Sequence, residues 1–405
     1  MRLKKYFAGL SRNTYLLALA SLFADISTEM LYPILPIFLT QNLGATATVV
    51  GIVDGIAQAI QNIVQGFSGW ISDKLQQRKW IALIGYAVAA IAKPLIGLST
   101  GWLGVLGARS LDRLGSGIRS APRDALVAES ADESSRGKAF GLEGVGDNLG
   151  AFFGPLITLA LIALAFVSLP SIFLLAFIPG LLATLMLFLV RGKTASATAR
   201  TKLDLTLHRF PKGYWTYLGV AAVFGIGNSS NAFLILRTVD LGASLTLTIL
   251  IYALFNLVAA LASYPAGYLS DRFGRKAVLL LSFFIFLAVY TGFGVTTDTD
   301  VIGCLFVSYG LFQGIFRSVG KALASDLVPA ELRASGVGWY MATVGITGLV
   351  ASVVGGLLWT SAGPPATFLY GAASALLGCV ALVLFVPQTG GRRDSSAAAR
   401  QEGSA

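Results

Sequence analysis

The sequence predicts an all-α polytopic membrane protein of twelve transmembrane helices in two pseudo-symmetric six-helix halves. The chain is 55% hydrophobic and only 12% charged, with a mean hydropathy of +0.74, which lies outside the balance of soluble domains. Its apolar runs reach the roughly 20 residues that a helix needs to cross a bilayer. A charged hairpin also recurs after 198 residues, from Gly69 to Gly267, as expected for an internal repeat.

Twelve apolar runs define the predicted spans. Their length favours helices, because the strands of a membrane barrel alternate in polarity over about 10 residues. In chain order, spans 1 to 12 are predicted at residues 14–40, 47–72, 79–99, 101–128, 137–164, 168–191, 214–237, 245–270, 276–296, 300–326, 333–361 and 365–387.

The basic residues fall on one side of the predicted membrane. They cluster at residues 2–12, 74–79, 136–138, 191–212, 272–276, 333 and 392–393, whereas the opposite loops 41–50, 99–102, 167–171 and 361–367 carry no charge. Because basic loops stay in the cytoplasm, we expect a multi-pass plasma membrane protein, in a bacterial inner membrane, with both termini cytoplasmic. The net charge of +10 therefore reflects topology, and no nucleic-acid partner is expected.

The repeat divides the chain into two halves. We expect an N-terminal bundle at residues 1–190, a cytoplasmic central loop at 191–213, a C-terminal bundle at 214–387 and a disordered cytoplasmic tail at 388–405. Further matches have nearly the same spacing, since Arg119 corresponds to Arg317 at an offset of 198 and Glu129 to Asp326 at an offset of 197. Halves of six spans run in the same direction, so an axis along the membrane normal should relate them.

The two hairpins resemble the loop 2–3 motif of the major facilitator superfamily, and the chain as a whole resembles its twelve-span drug:proton antiporter branch. The resemblance implies a gating role for Gly69, Asp73, Lys74, Arg78, Gly267, Asp271, Arg272, Gly274 and Arg275. Asp73 would latch the halves on the cytoplasmic side. The first copy departs from the pattern at Gln76, where glycine is expected. The alternative to this gating role is that each hairpin is only a tight turn whose charges set the membrane topology.

Span 4 contains Arg113, Ser116 and Gly117, which are similar to the Arg-x-x-Gln-Gly motif of proton-coupled members, with serine in place of glutamine. A charge near the bilayer centre costs about 2.5–3.5 kcal/mol or more, so such an arginine must face a cavity or a partner. Asp112 is the nearest acid. A structural ion-pair stack is the alternative.

Span 5 carries Gly141, Gly150, Gly154 and Pro155, a spacing similar to the span-five motif of antiporters in this family. The final Gly-Gly of that motif is absent. Ordinary helix packing through small residues, with a proline kink, is the alternative.

Acidic residues inside spans are the candidate proton carriers. Asp25 and Glu29 share one face of span 1, and Glu143 and Asp147 share one face of span 5. Two poorly solvated carboxylates do not both ionise easily, so one of each pair is expected to hold a proton. The predicted coupling set is Asp25, Glu29, Asp112, Arg113, Glu143 and Asp147. The alternative for each acid is a salt bridge with Lys93, Arg109, Arg119 or Arg317.

The substrate cavity is predicted from the remaining polar residues within spans, namely Asp54, Lys93, Arg109, Asn228, Asn231, Asn256, Gln313 and Arg317. We expect a monomeric, proton-coupled secondary transporter in the lipid bilayer that exports a small organic compound or drug by alternating access. A proton symporter or uniporter importing a sugar, organic acid or other nutrient is the alternative. The sequence does not favour a function as a polytopic enzyme or sensor, because His208 lies in a loop and Cys304 and Cys379 lack metal or redox spacing. No metal or cofactor is expected.

Overall fold

A computed structural model of the chain describes residues 10–75, 77–131, 135–191, 209–329 and 332–386, apart from the side chains of residues 70, 73 and 334. Its helices follow the twelve predicted spans. The first half contains span 1 (Arg12–Glu29, then Leu35–Ile37 and the π-helical turn Phe38–Asn42), span 2 (Ala47–Leu75), span 3 (Arg78–Gly97), span 4 (Trp102–Glu129), span 5 (Arg136–Ala165) and span 6 (Leu169–Leu175 and Phe177–Phe188).

The second half repeats this order. It contains span 7 (Lys212–Gly225 and Ala232–Asp240), span 8 (Leu245–Phe273), span 9 (Arg275–Val295), span 10 (Thr299–Asp326), span 11 (Arg333–Ala362) and span 12 (Pro364–Phe385). The predicted central loop and the predicted tail lie almost wholly outside the described residues.

Span 1 is broken into three helical segments and spans 6 and 7 into two each, a feature that the apolar runs at 14–40, 168–191 and 214–237 do not predict. Pro33 lies within the break in span 1, Pro36 lies in the first turn of the helix that follows it, and Pro179 follows the break in span 6. Proline removes a backbone donor and disfavours helix in the residue before it. The break in span 7 holds turn-forming residues at 227–231. Irregular backbone at membrane depth is tolerated where it lines a cavity.

The two halves pack in the same way. In the first half, span 1 packs on span 5 and span 2 packs on span 4. In the second half, the equivalent spans make the same contacts: span 7 packs on span 11, and span 8 packs on span 10. Span 2 against span 11 and span 5 against span 8 join the halves. We call the face where span 1 begins and span 12 ends the termini side, and the opposite face the far side.

Nine of the described helices are long and apolar enough to cross a membrane. Spans 1, 4 and 7 supply none of them, because span 4 and the Arg12–Glu29 helix of span 1 are rich in charges and the two helices of span 7 are short. These three polar spans contribute most of the charged and irregular segments at the candidate site.

Candidate functional site

A cavity of about 510 Å³ lies between the two halves, a volume within the range of small-molecule pockets. Its wall comes from spans 1, 2, 4 and 5 of the first half and spans 7, 8, 10 and 11 of the second. Charged, amide and hydroxyl side chains dominate this wall. Ionisable groups at this depth mark a substrate or ion pathway.

Ten of the fourteen residues predicted for coupling or substrate contact lie on the cavity wall, where polar residues of distant spans meet. Their roles stay predictions. They are Asp25, Glu29, Asp54, Arg113, Asp147, Asn228, Asn231, Asn256, Gln313 and Arg317.

Lys93, Arg109, Asp112 and Glu143 lie elsewhere. Each is buried behind the wall rather than on it. The expectation that Lys93 and Arg109 line the cavity is therefore corrected, and the physical reason is that buried acids hold both cations.

A buried charge cluster centres on Asp112. Its carboxylate lies 2.9 Å from Arg109 Nη1, 3.1 Å from Arg113 Nε and 3.5 Å from Lys93 Nζ. The side chains of Arg109 and Asp112 expose no surface. Arg109 Nη2 also lies 3.3 Å from Asp54 Oδ1. Buried charges persist only when paired in this way, so Asp112 adopts the structural ion-pair arrangement.

Asp54 connects this cluster to the second half. Its Oδ2 accepts hydrogen bonds from Tyr32 at 3.1 Å and from Ser230 at 2.5 Å, and Ser230 lies in the break of span 7. Nearer the far side, the Thr48 hydroxyl donates to the Gly356 carbonyl at 2.9 Å. These contacts close the cavity on the far side.

Glu29 is a second acid that binds donors from the opposite half. Tyr252 donates to Glu29 Oε2 at 2.8 Å, and Asn256 Nδ2 lies 3.4 Å from the same oxygen. Asn256 also donates to the Ala151 carbonyl at 3.1 Å. One carboxylate of span 1 therefore holds two side chains of span 8, at the middle of the interface between the halves.

Asp25 lies one helical turn before Glu29 and faces a cation of its own half. Arg119 Nη2 is 3.7 Å from Asp25 Oδ1, and 28% of the Asp25 side chain is exposed. The Arg119 guanidinium also stacks 4.4 Å from the centroid of the Tyr86 ring. In this structure Asp25 therefore forms a salt bridge with Arg119, which is the alternative to a proton-carrier role that the sequence left open.

The second acid pair depends on Arg123, a residue that the sequence reasoning missed. Its Nη1 lies 3.0 Å from Glu143 Oε1 and 3.4 Å from Asp147 Oδ1, and its Nη2 lies 3.0 Å from Asp124 Oδ1. The signal was available in the sequence, because Arg123 follows Arg119 by four residues and shares its helix face.

A row of amides on span 2 was also missed. Gln61 accepts a hydrogen bond from Arg113 Nη1 at 3.0 Å, and this contact brings Arg113 to the wall. The row could have been recognised from its spacing, since residues three, four and seven apart share one helix face. Its members on the wall are Gln58, Gln61, Asn62 and Gln65.

The hairpin motifs form ion pairs within their own halves. Arg78 pairs with Glu129 at the end of span 4, and the equivalent Arg275 lies 3.1 Å from Asp326 at the end of span 10. Gly274 has φ +93° between spans 8 and 9, a conformation that favours glycine. The side chain of Asp73 lies outside the described part of the chain, so its latch role stays a prediction.

The glycines of span 5 pack on span 1. A Cβ added at Gly150 would lie 2.6 Å from the Leu22 carbonyl oxygen, and one at Gly154 would lie 2.9 Å from the Ile26 carbonyl oxygen. A Cβ at Gly141 would meet nothing within 4 Å. Close helix packing therefore accounts for Gly150 and Gly154, and the link of this pattern to antiport stays a prediction.

Comparison with known proteins agrees with the fold. The family model of the Major Facilitator Superfamily matches residues 17–235 and 216–404. An uncharacterised transporter of this type from Methanocaldococcus jannaschii is 35% identical, over 93% of this chain and 95% of the relative. A probable 4-methylmuconolactone transporter from Cupriavidus pinatubonensis is 28% identical, over 80% of this chain and 78% of the relative.

Solved structures show the same fold at low sequence identity. The nucleoside transporter NupG superposes with a TM-score of 0.78 at 14% identity, covering 93% of this chain and 100% of that one. A peptide transporter superposes with a TM-score of 0.77 at 14% identity, covering 93% and 95%. The chain therefore belongs to the major facilitator superfamily, and it is a transporter rather than an enzyme.

Proposed function

We propose that this transporter exports a small organic compound in exchange for protons, by alternating access of the central cavity. The observation that carries the proposal is the contact of Glu29 with Tyr252 and Asn256 across the two halves. An acid in that position couples its own protonation to the relative position of the halves.

A proton on Glu29 would weaken that contact. A hydrogen bond to a charged group contributes about 1.5–3 kcal/mol and a neutral one about 0.5–1.5 kcal/mol. The loss of about 1–1.5 kcal/mol shifts a two-state equilibrium roughly tenfold. Protonation would thus favour separation of the halves on the far side, and proton release would favour the closed arrangement.

Asp25 and Arg119 are the proposed exchange pair. The Asp25 carboxylate, 28% exposed on the cavity wall, would bind either a proton or a hydrogen-bond donor of the substrate. A proton therefore displaces the substrate and the substrate displaces the proton, and exchange requires this competition. Arg119 at 3.7 Å stabilises the ionised carboxylate between the two events.

The proposed direction rests on sequence likeness. The span-five pattern resembles that of antiporters, and the multidrug resistance protein MdtH of Photorhabdus laumondii is 30% identical over 36% of each chain. Thr158 and Leu159 stand where the motif has Gly-Gly, and this departure favours the second candidate, a proton symporter or uniporter that imports a nutrient. The polar wall favours a polar compound over a lipophilic drug in either case.

The basic loops support a proposed orientation. We place the protein in a bacterial inner membrane with both termini in the cytoplasm, since the positive loops lie on the termini side. The cavity closed on the far side is then closed towards the outside. A monomer contains the complete cavity, so we propose that one chain with bilayer lipid is the working unit.

Proteoliposomes with a pH dye in the lumen test coupling and direction together. The probes are 4-methylmuconolactone and chloramphenicol, each added outside in radiolabelled form. Antiport moves protons out as the compound enters, so the lumen becomes more alkaline. A lumen that becomes acidic assigns symport instead, and uptake with constant pH contradicts proton coupling.

A further inference from the structure

The cations that the first half contributes to the cavity wall all have acidic partners. Arg113 is held by Asp112, Arg119 by Asp25 and Arg123 by Glu143 and Asp147. These pairs neutralise most of the charge on this side of the cavity. They leave little net attraction for a charged substrate.

The second half differs. Arg317 and Lys321 lie on the wall, one helical turn apart on span 10. Neither has an ion pair or a hydrogen-bond partner among the residues that the structure describes. Arg317 is exposed in the cavity and Lys321 is half-buried. Asp124 attracts Lys321 from beyond ion-pair distance, but Arg123 already pairs with that acid at 3.0 Å, so this part of the wall keeps a net positive charge.

The internal repeat explains why these cations lack partners. Ile118-Arg119-Ser120 of span 4 corresponds to Phe316-Arg317-Ser318 of span 10, so Arg317 is the counterpart of Arg119. Span 1 supplies Asp25 to Arg119, but the equivalent helix of span 7, Lys212–Gly225, contains no acidic residue. The second half keeps the arginine of the repeat without the carboxylate that neutralises it.

We propose that a small organic anion fills this position, with its carboxylate or phosphate group bound by Arg317 and Lys321. Arginine offers a planar fork of donors that matches either group, and lysine adds a point charge. Gln313 lies one turn before Arg317 on the same wall and supplies an amide to the uncharged part of the molecule. The proposal rests on the proposed function, because it assigns the substrate class of the same cavity.

Ligand-induced thermal stabilisation of the purified full-length chain tests this assignment, because a ligand stabilises the state that it binds. The probes are succinate, glycerol 3-phosphate, choline and glucose, so that carboxylate, phosphate, cation and neutral compound are compared. We expect stabilisation by one or both anions and by neither of the others. Succinate alone or glycerol 3-phosphate alone identifies which anionic group is preferred.

Variants locate the binding site. Arg317→Gln and Lys321→Gln are each expected to weaken anion affinity at least tenfold. Arg317→Lys keeps the charge and should weaken anion affinity less than Arg317→Gln does. Lys212→Gln, which removes the same charge from an exposed position at the start of span 7, should leave affinity within twofold of the wild type. Arg317→Lys keeps the test decisive if Arg317→Gln does not fold.

Three results would overturn the anion site. These are stabilisation by choline or glucose alone, stabilisation by no probe, and anion affinity that is unchanged in Arg317→Gln. Unchanged affinity together with a shifted melting temperature of the free protein would assign Arg317 to a conformational contact instead. The experiments distinguish failure of the anion site from failure of the proposed function. Anion binding that depends on Arg317, without proton movement in proteoliposomes, would contradict the proton coupling and still support the anion site.

Discussion

Replacement of Asp112 by asparagine should destabilise the protein strongly. The carboxylate of Asp112 compensates Lys93, Arg109 and Arg113 at distances of 2.9 to 3.5 Å, without solvent exposure of its side chain. Asp54 still faces Arg109 in the variant, but Lys93 and Arg113 lose their described acidic partner. Removal of one partner from a buried ion pair costs about 3–5 kcal/mol, which corresponds to a fall in Tm of about 6–10 °C at roughly 2 °C per kcal/mol.

The assay uses the cysteines of the chain. Cys379 is buried and Cys304 exposed, so in a Cys304→Ser background a thiol-reactive dye reports unfolding through Cys379. Asp271→Asn is the matched control, because 67% of the Asp271 side chain is exposed in its pair with Arg275 at 2.9 Å, and Arg275 keeps Asp326 at 3.1 Å. Exposed pairs contribute about 0–1 kcal/mol, so its Tm should fall by less than about 2 °C. An Asp112→Asn variant that melts within 2 °C of this control would refute the reasoning.

Two further predictions concern glycines. Gly150→Ala places a Cβ 2.6 Å from the Leu22 carbonyl oxygen and should cost about 1–3 kcal/mol by overpacking, whereas Gly141→Ala meets nothing within 4 Å and should be neutral in the same melting assay. Gly274→Ala forces a side chain to φ +93° and should cost about 1–2 kcal/mol, with Gly267→Ala of the same hairpin, which has open space, as the control. Equal melting temperatures within either pair would contradict the packing or the backbone argument respectively.

The spans were predictable because hydrophobicity over bilayer length is a strong signal, and all twelve appear near their expected positions. The breaks were not predicted, because an apolar run that contains Pro33 and Pro36 is as hydrophobic as a continuous helix. Whether a proline kinks a span or ends a helix depends on the neighbours that satisfy the freed backbone groups.

The site was partly predictable for a related reason. Intramembrane polarity identified the wall residues, such as Asp25 and Gln313, since such groups must face a cavity or each other. Sequence alone does not decide between those two outcomes. Arg109 and Arg113 lie four residues apart on span 4, yet Asp54 and Asp112 hold Arg109 behind the wall while Arg113 reaches it.

The central claim is that protonation of Glu29 controls closure of the two halves. Distances between spin labels at positions 100 and 297 test it, because both positions are exposed in the far-side loops that precede spans 4 and 10. Both native cysteines are first replaced by serine. Asp300→Asn, an exposed acid at the start of span 10, is the control for loss of one negative charge.

Lowering the pH from about 8 to about 4 should lengthen the distance between positions 100 and 297 in the wild type and in Asp300→Asn. In Glu29→Gln the longer distance should already be present at pH 8 and should not change with pH. A wild-type distance that is independent of pH, or a pH response that persists in Glu29→Gln, would contradict the account.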